Sequence, residues 1–100
     1  MSTNILQKDI VTPAIYHSSQ ALHLECGARL SQYELVYETY GRLNTKKNNA
    51  ILVCPALTAN HHASGYSSIN DSKPGWWNDF IGKGKALDTN KFFIVCVNNI

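Results

Sequence analysis

Two stretches of the chain are apolar without interruption, Ala50-Ile51-Leu52-Val53-Cys54 and Phe92-Phe93-Ile94-Val95-Cys96-Val97. A run with no polar alternation predicts a strand covered on both faces. The connection between them is about forty residues long, more than a hairpin needs and enough for a helical crossover joining parallel strands. A helical turn is expected within it around residues 76–81. Upstream, Leu22-His23-Leu24-Glu25 alternates and runs into the turn signal Cys26-Gly27, and residues 33–40 are rich in aromatic and β-branched side chains. These two segments predict a hairpin. Gly41 ends the second strand, and Asn44-Thr45-Lys46-Lys47-Asn48-Asn49 reads as a polar surface connection. Residues 1–20 read as a loose polar leader, and residues 21–100 as one continuous segment of an α/β sheet with helices on both faces. Because the chain stops at Val97-Asn98-Asn99-Ile100, directly after the second apolar run, the fold is expected to be unfinished.

Composition narrows the classes. With 44% hydrophobic residues, 10% aromatics and only 6 Gly and 3 Pro, the chain is globular rather than disordered or low-complexity. Charged residues make up 16%, below the quarter or so usual for a soluble domain, as expected of a slice of something larger. The formal net charge is +2 and the basic residues are scattered, so no nucleic-acid or membrane partner is expected. No secretory signal and no run of about 18 apolar residues is present, which with unpaired cysteines points to the cytoplasm. The 3 cysteines, Cys26, Cys54 and Cys96, lack a Cys-x-x-Cys spacing, and the latter two sit in apolar runs where buried free thiols are expected.

The segment richest in chemistry is Cys54-Pro55-Ala56-Leu57-Thr58-Ala59-Asn60-His61-His62-Ala63-Ser64-Gly65, which follows the first apolar strand. In open α/β sheets, ligands bind beyond the carboxyl ends of strands, and free backbone N–H groups there stabilise an oxyanion by roughly 3 kcal/mol per donor. Adjacent His61 and His62 point in different directions and lack the His-x-x-x-His spacing, so local hydrogen bonding is expected of them and no metal. Ser64, Ser67 and Ser68 lie outside any Gly-x-Ser-x-Gly elbow, so none is assigned as a nucleophile. Gly82-Lys83-Gly84-Lys85 misses the phosphate-loop spacing and reads as a helix terminus and turn. Lys73-Pro74-Gly75-Trp76-Trp77 reads as a turn whose rings pack on the sheet or wall a pocket.

Taken in order, Tyr37-Glu38-Thr39-Tyr40-Gly41-Arg42-Leu43-Asn44, Asn49 to Cys54, Ala56-Leu57-Thr58 with His61-His62, Lys73 to Trp77, Ile81 to Thr89 and Phe93 to Asn98 resemble the opening of the homoserine O-acyltransferases. The resemblance covers about residues 20 to 100 and implies an incomplete α/β-hydrolase fold, truncated before the nucleophile elbow. It further implies transfer of an acetyl or succinyl group from acyl-CoA to the hydroxyl of L-homoserine, in methionine biosynthesis, through a Ser-His-Asp acyl-enzyme. An adjacent histidine activates the serine and a carboxylate orients that histidine. Acyl-CoA is then a co-substrate and no cofactor is bound. The family pattern places an oxyanion donor at the backbone N–H of Leu57 and a substrate contact at Thr58.

Family members usually carry His where Pro55 stands and Gly where Ala59 stands, and both changes restrict the loop backbone. The triad is absent from these 100 residues, so the piece alone is expected to be inactive. A complete enzyme is implied to be a homodimer. Two other readings stand beside this one. The first is a non-enzymatic α/β module completed by strand addition from a partner, and the second is another α/β-hydrolase such as an esterase.

Overall fold

The computed structural model describes residues 9–99; the N-terminal part of the expected leader lies outside the described residues. The chain folds as strands β1 (Ala14–Ser18), β2 (Leu22–His23), β3 (Arg29–Leu30), β4 (Tyr33–Tyr40), β5 (Ala50–Val53), β6 (Ile81–Gly82), β7 (Leu87–Asp88) and β8 (Phe93–Val97). The main sheet has four strands in the order β1-β4-β8-β5. Its first two pairings are antiparallel, and β5 lies parallel to β8 with Ala50 opposite Phe93 and Val53 opposite Cys96. The two apolar runs are therefore parallel neighbours.

Several expectations change. The leader is not loose throughout, because Ala14–Ser18 pairs along its whole length with β4, from Ala14–Tyr37 to Ser18–Tyr33. Ile15 and Tyr16 give that stretch enough β-forming character once β4 offers an unpaired edge. The hairpin also closes elsewhere. Leu22–His23 returns on Arg29–Leu30 rather than on β4, because Gly27 at φ 91° lets the chain reverse directly after Cys26. No helix forms among the described residues, so the crossover from β5 to β8 is irregular chain with the small parallel pair β6–β7. Around residues 76–81 successive turns close through Phe80 N–H to Trp77 O (2.9 Å) and Ile81 N–H to Trp77 O (3.2 Å), and the chain then enters β6. Gly82-Lys83-Gly84-Lys85 accordingly leaves a strand, not a helix, and turns into β7.

The expectation of strands covered on both faces also fails. Ile94 and Cys96 of β8 are completely buried, with Tyr40, Val53, Ala63 and Ile81 completing the core. Phe93, Val95 and Val97, on the opposite face by the two-residue period of a strand, are only half-buried. Val95 and Val97 line an open apolar trough with Tyr16, Leu35 and Tyr37. On β5 the same alternation buries Val53 and leaves Leu52 65% exposed. Continuous apolarity marks a strand that sits between two layers, and the described residues supply one.

Two anchors hold the strand entrances. Asn49 donates through Nδ2 to the carbonyls of Arg42 and Lys91, both at 3.0 Å, and accepts from the Asn44 amide at 3.0 Å, linking both approaches to the parallel pair. Gly41, at φ 85°, passes so close to Phe92 that a Cβ there would lie 2.2 Å from its carbonyl oxygen. No helix among the described residues is long and apolar enough to cross a membrane.

Candidate functional site

The loop after β5 leaves the sheet at Cys54 and turns back at once, with the Ala59 amide donating to Ala56 O at 2.9 Å. Leu57 and Thr58 form the tip of that turn. Leu57 is 91% exposed, and neither its amide nor that of Thr58 is hydrogen-bonded to another described residue. Both amides are thus without a partner among the described residues, at the carboxyl end of a parallel strand where ligands of α/β sheets bind. Pro55 is accommodated without a cis bond, and Ala59 lies outside the positive-φ region, which among non-glycine described residues holds only Lys47. The change from Gly at position 59 therefore introduces no backbone strain.

Beyond the tip, the loop is fixed to β4 by a buried polar cluster. Glu38 is 2% exposed and faces the loop rather than solvent. Its carboxylate accepts from His62 Nδ1, 2.9 Å from Oε1 and 3.1 Å from Oε2, which places the imidazole proton on Nδ1. Tyr40, two residues on and therefore on the same strand face, donates its hydroxyl to Glu38 Oε1 at 2.7 Å. The same phenol oxygen accepts the amides of Ala63 (2.9 Å) and Ser64 (3.2 Å), which uses its proton and both lone pairs. Burial, then the hydrogen bond and negative charge of Glu38, push the Tyr40 phenol far above its usual range. His61 Nε2 stands 3.9 Å from Glu38 Oε2.

This cluster was not visible in the sequence, where Glu38 entered only as part of the Tyr37 to Asn44 stretch. The only signal was Glu38 and Tyr40 two apart on one face, with an unassigned His-His pair downstream. The histidines are also not merely locally bonded as expected, since His62 bonds across 24 residues to Glu38. Among the described residues no group of three or more His, Cys, Asp or Glu is placed to hold a metal. Ser64 is buried and donates to Ile81 O at 2.9 Å, as a structural hydroxyl does.

The Lys73–Trp77 stretch closes the far side. Trp76 Nε1 donates to Asn60 O at 2.8 Å, and the rings of Trp76 and Trp77 stack at 5.6 Å. Between this stretch and the loop lies a cavity of about 460 Å³ lined by Thr58, Asn60, His62, Lys73 and Trp76 among others. Trp76 thus walls a pocket, one of the two roles its motif allowed.

Cys96 lies beneath the loop, its thiol 3.8 Å from Asn60 O. Burial, and next the charge of Glu38, push that thiol up to about 11 from 9.0. Cys54, expected to be buried with it, is exposed, because the chain leaves the sheet one residue after Val53. At pH 8 a thiol-specific alkylating reagent is expected to label Cys26 and Cys54 rapidly and Cys96 only after denaturation. Equal labelling of all three in the folded protein would contradict the burial. Because the folded-state value of Cys96 is raised, its contribution to stability is full below pH 9.0 and is lost as pH climbs through about 11.

The chain is 55% identical over 91 residues to the homoserine O-succinyltransferase of Cellvibrio japonicus (strain Ueda107) and 57% identical over 91 residues to that of Marinomonas sp. (strain MWYL1). Over those 91 residues the chain resembles the homoserine O-acyltransferases. The match takes in 91% of this chain and 24% of each relative, so the chain spans about a quarter of the length of the curated relatives it matches. Among solved structures, the homoserine O-acetyltransferase from Bacillus anthracis superimposes with a TM-score of 0.86 at 37% identity, covering 92% of this chain and 24% of that one. Esterase E22 gives a TM-score of 0.86 at 31% identity, covering 91% of this chain and 24% of its own. The architecture is that of the N-terminal portion of the α/β-hydrolase fold. No protein-family model matches the chain.

Proposed function

We propose that this chain supplies the oxyanion-loop segment of an acyltransferase that moves a succinyl or acetyl group from acyl-CoA to the hydroxyl of L-homoserine. The observation that carries the reading is the pair of free amides at Leu57 and Thr58, displayed beside a cavity within a segment similar to homoserine O-succinyltransferases. In such a reaction the thioester carbonyl becomes a tetrahedral oxyanion when a serine attacks, and again when the acyl-enzyme meets homoserine. The Leu57 amide would donate to that oxygen in both steps, and Thr58 would contact substrate at the cavity mouth. No elbow serine occurs in these 100 residues, and by the family resemblance the histidine and carboxylate of the triad also lie outside them, so the segment alone is inactive. Acyl-CoA acts as co-substrate, without a bound cofactor. Cytoplasmic methionine biosynthesis and a homodimeric whole enzyme belong to the same reading.

Succinyl is the donor favoured by the identities, 55% to the Cellvibrio succinyltransferase against 37% to the Bacillus acetyltransferase. The test is a chimera in which this chain's matched residues replace their counterparts in the Cellvibrio japonicus enzyme. Homoserine-dependent release of CoA from succinyl-CoA is expected, with acetyl-CoA used less well. A folded chimera that releases no CoA with either donor would overturn the reading and favour an interaction module.

A further inference from the structure

The Glu38 cluster does something the oxyanion reading does not itself require. The loop carrying Leu57 is pinned at its start by the pairing of Val53 with Cys96, and past its tip it meets neither a strand nor a helix. Its return is held by backbone bonds from Gly75, Trp76 and Trp77 to the carbonyls of Gly65, His62 and Ala63, and by side chains of β4. Glu38 takes His62, while Tyr40 takes the amides of Ala63 and Ser64 and lies 3.1 Å from His61 O. Asn60 Oδ1 then accepts the His62 amide at 2.9 Å and passes the constraint back toward the tip, one residue from the closed turn at Ala56–Ala59.

A carboxylate-held histidine also has the form of a general-base pair, but His62 Nε2 is shut off from solvent and has no partner among the described residues. Other atoms of His62 line the cavity, but Nε2 itself is buried and is not placed to take a proton from substrate. From this we propose that Glu38, acting through His62 and Tyr40, is a positioning residue that sets where the Leu57 amide points. The inference rests on the acyltransferase reading and adds to it a residue on a different strand. A buried carboxylate suits the task because Oε1 accepts from both Tyr40 and His62 while Oε2 also faces His62, and leaving either donor unpaired is expensive enough to fix both.

The experiment uses the chimera described above. Glu38→Gln keeps the shape and, in either orientation of the amide, sets an NH₂ donor against the His62 Nδ1 proton. CoA burst amplitude gives the number of competent sites, so the rate per competent site is read independently of how much protein folds. That rate is expected to fall about 100-fold, as for a misplacement of about an ångström, while KM for homoserine and for succinyl-CoA changes little. Glu34→Gln, which breaks the exposed pair with His17 on the same strand, is the control and leaves the rate unchanged. Should Glu38→Gln fail to fold, Tyr40→Phe tests the same cluster by removing one oxygen. An unchanged rate per site with a lowered melting temperature, or loss of folding in both variants, would overturn the proposal and leave the cluster purely structural. If the parent chimera folds but is inactive, the acyltransferase reading itself has failed and this proposal with it.

Discussion

Replacing Gly75 by alanine is expected to detach the Lys73–Trp77 stretch from the loop and to be among the most damaging single changes in the chain. A Cβ at this position would lie 2.2 Å from Ser64 N, 2.3 Å from Ala63 C and 2.6 Å from Ala63 O. All three are backbone atoms, so no rotamer change relieves the overlap. Both segments are bonded side by side, with Gly75 N–H to Gly65 O at 2.9 Å, Trp76 N–H to His62 O at 3.1 Å and Trp77 N–H to Ala63 O at 2.7 Å. Separating them by an ångström or more breaks these bonds and empties part of the core around Ala63. A loss of about 3 kcal/mol or more is expected, at the upper end for overpacking. Denaturant midpoints of the chimera would measure it, with Gly84→Ala as the comparison. At Gly84, φ is +73° and an added methyl meets nothing within 4 Å, so only left-handed backbone strain of about 1 kcal/mol is incurred. Equal losses at the two positions would show that Gly75 is not in contact with the loop.

The second large effect concerns the 100-residue chain by itself, which is expected to self-associate. Strand β5 pairs with β8 on one side and exposes its other edge, with Leu52 projecting 65% exposed from it. Beside it lies the open sheet face of Tyr16, Leu35, Tyr37, Val95 and Val97. The radius of gyration is 15.9 Å, where a compact chain of this length would have about 13 Å, so apolar surface is under-buried. An exposed apolar edge is a template for another strand. Light scattering is expected to show oligomers that grow with concentration, and Leu52→Lys to reduce them severalfold by placing a charge on the edge. A monodisperse monomer with strongly protected β5 amides would contradict this.

What could be read from the sequence depended on the range of the forces involved. The parallel relation of residues 50–54 and 92–97 was legible because the connection between the two apolar runs is far longer than a hairpin needs. The loop after the first run was legible because strand ends in α/β sheets are where free amides collect. The pairing of β1 with β4 was not, since Ala14-Ile15-Tyr16-His17-Ser18 becomes a strand only when an edge is offered to it. The helical turn expected over residues 76–81 is limited to the turns closed by the Phe80 and Ile81 amides on Trp77 O, and it goes no further because the chain enters β6 at Ile81. Glu38 was the most consequential omission. Its role depends on partners 24 residues away, and no local pattern encodes such a distance.

The most direct measurement is the intact mass of the protein captured from its own cells with an antibody against residues 60–85, with the same sample assayed for homoserine-dependent release of CoA. The account predicts a species several times heavier than 11.1 kDa that releases CoA from succinyl-CoA only when homoserine is present. A species near 11.1 kDa that releases none would contradict it and leave the resemblance as a statement of ancestry.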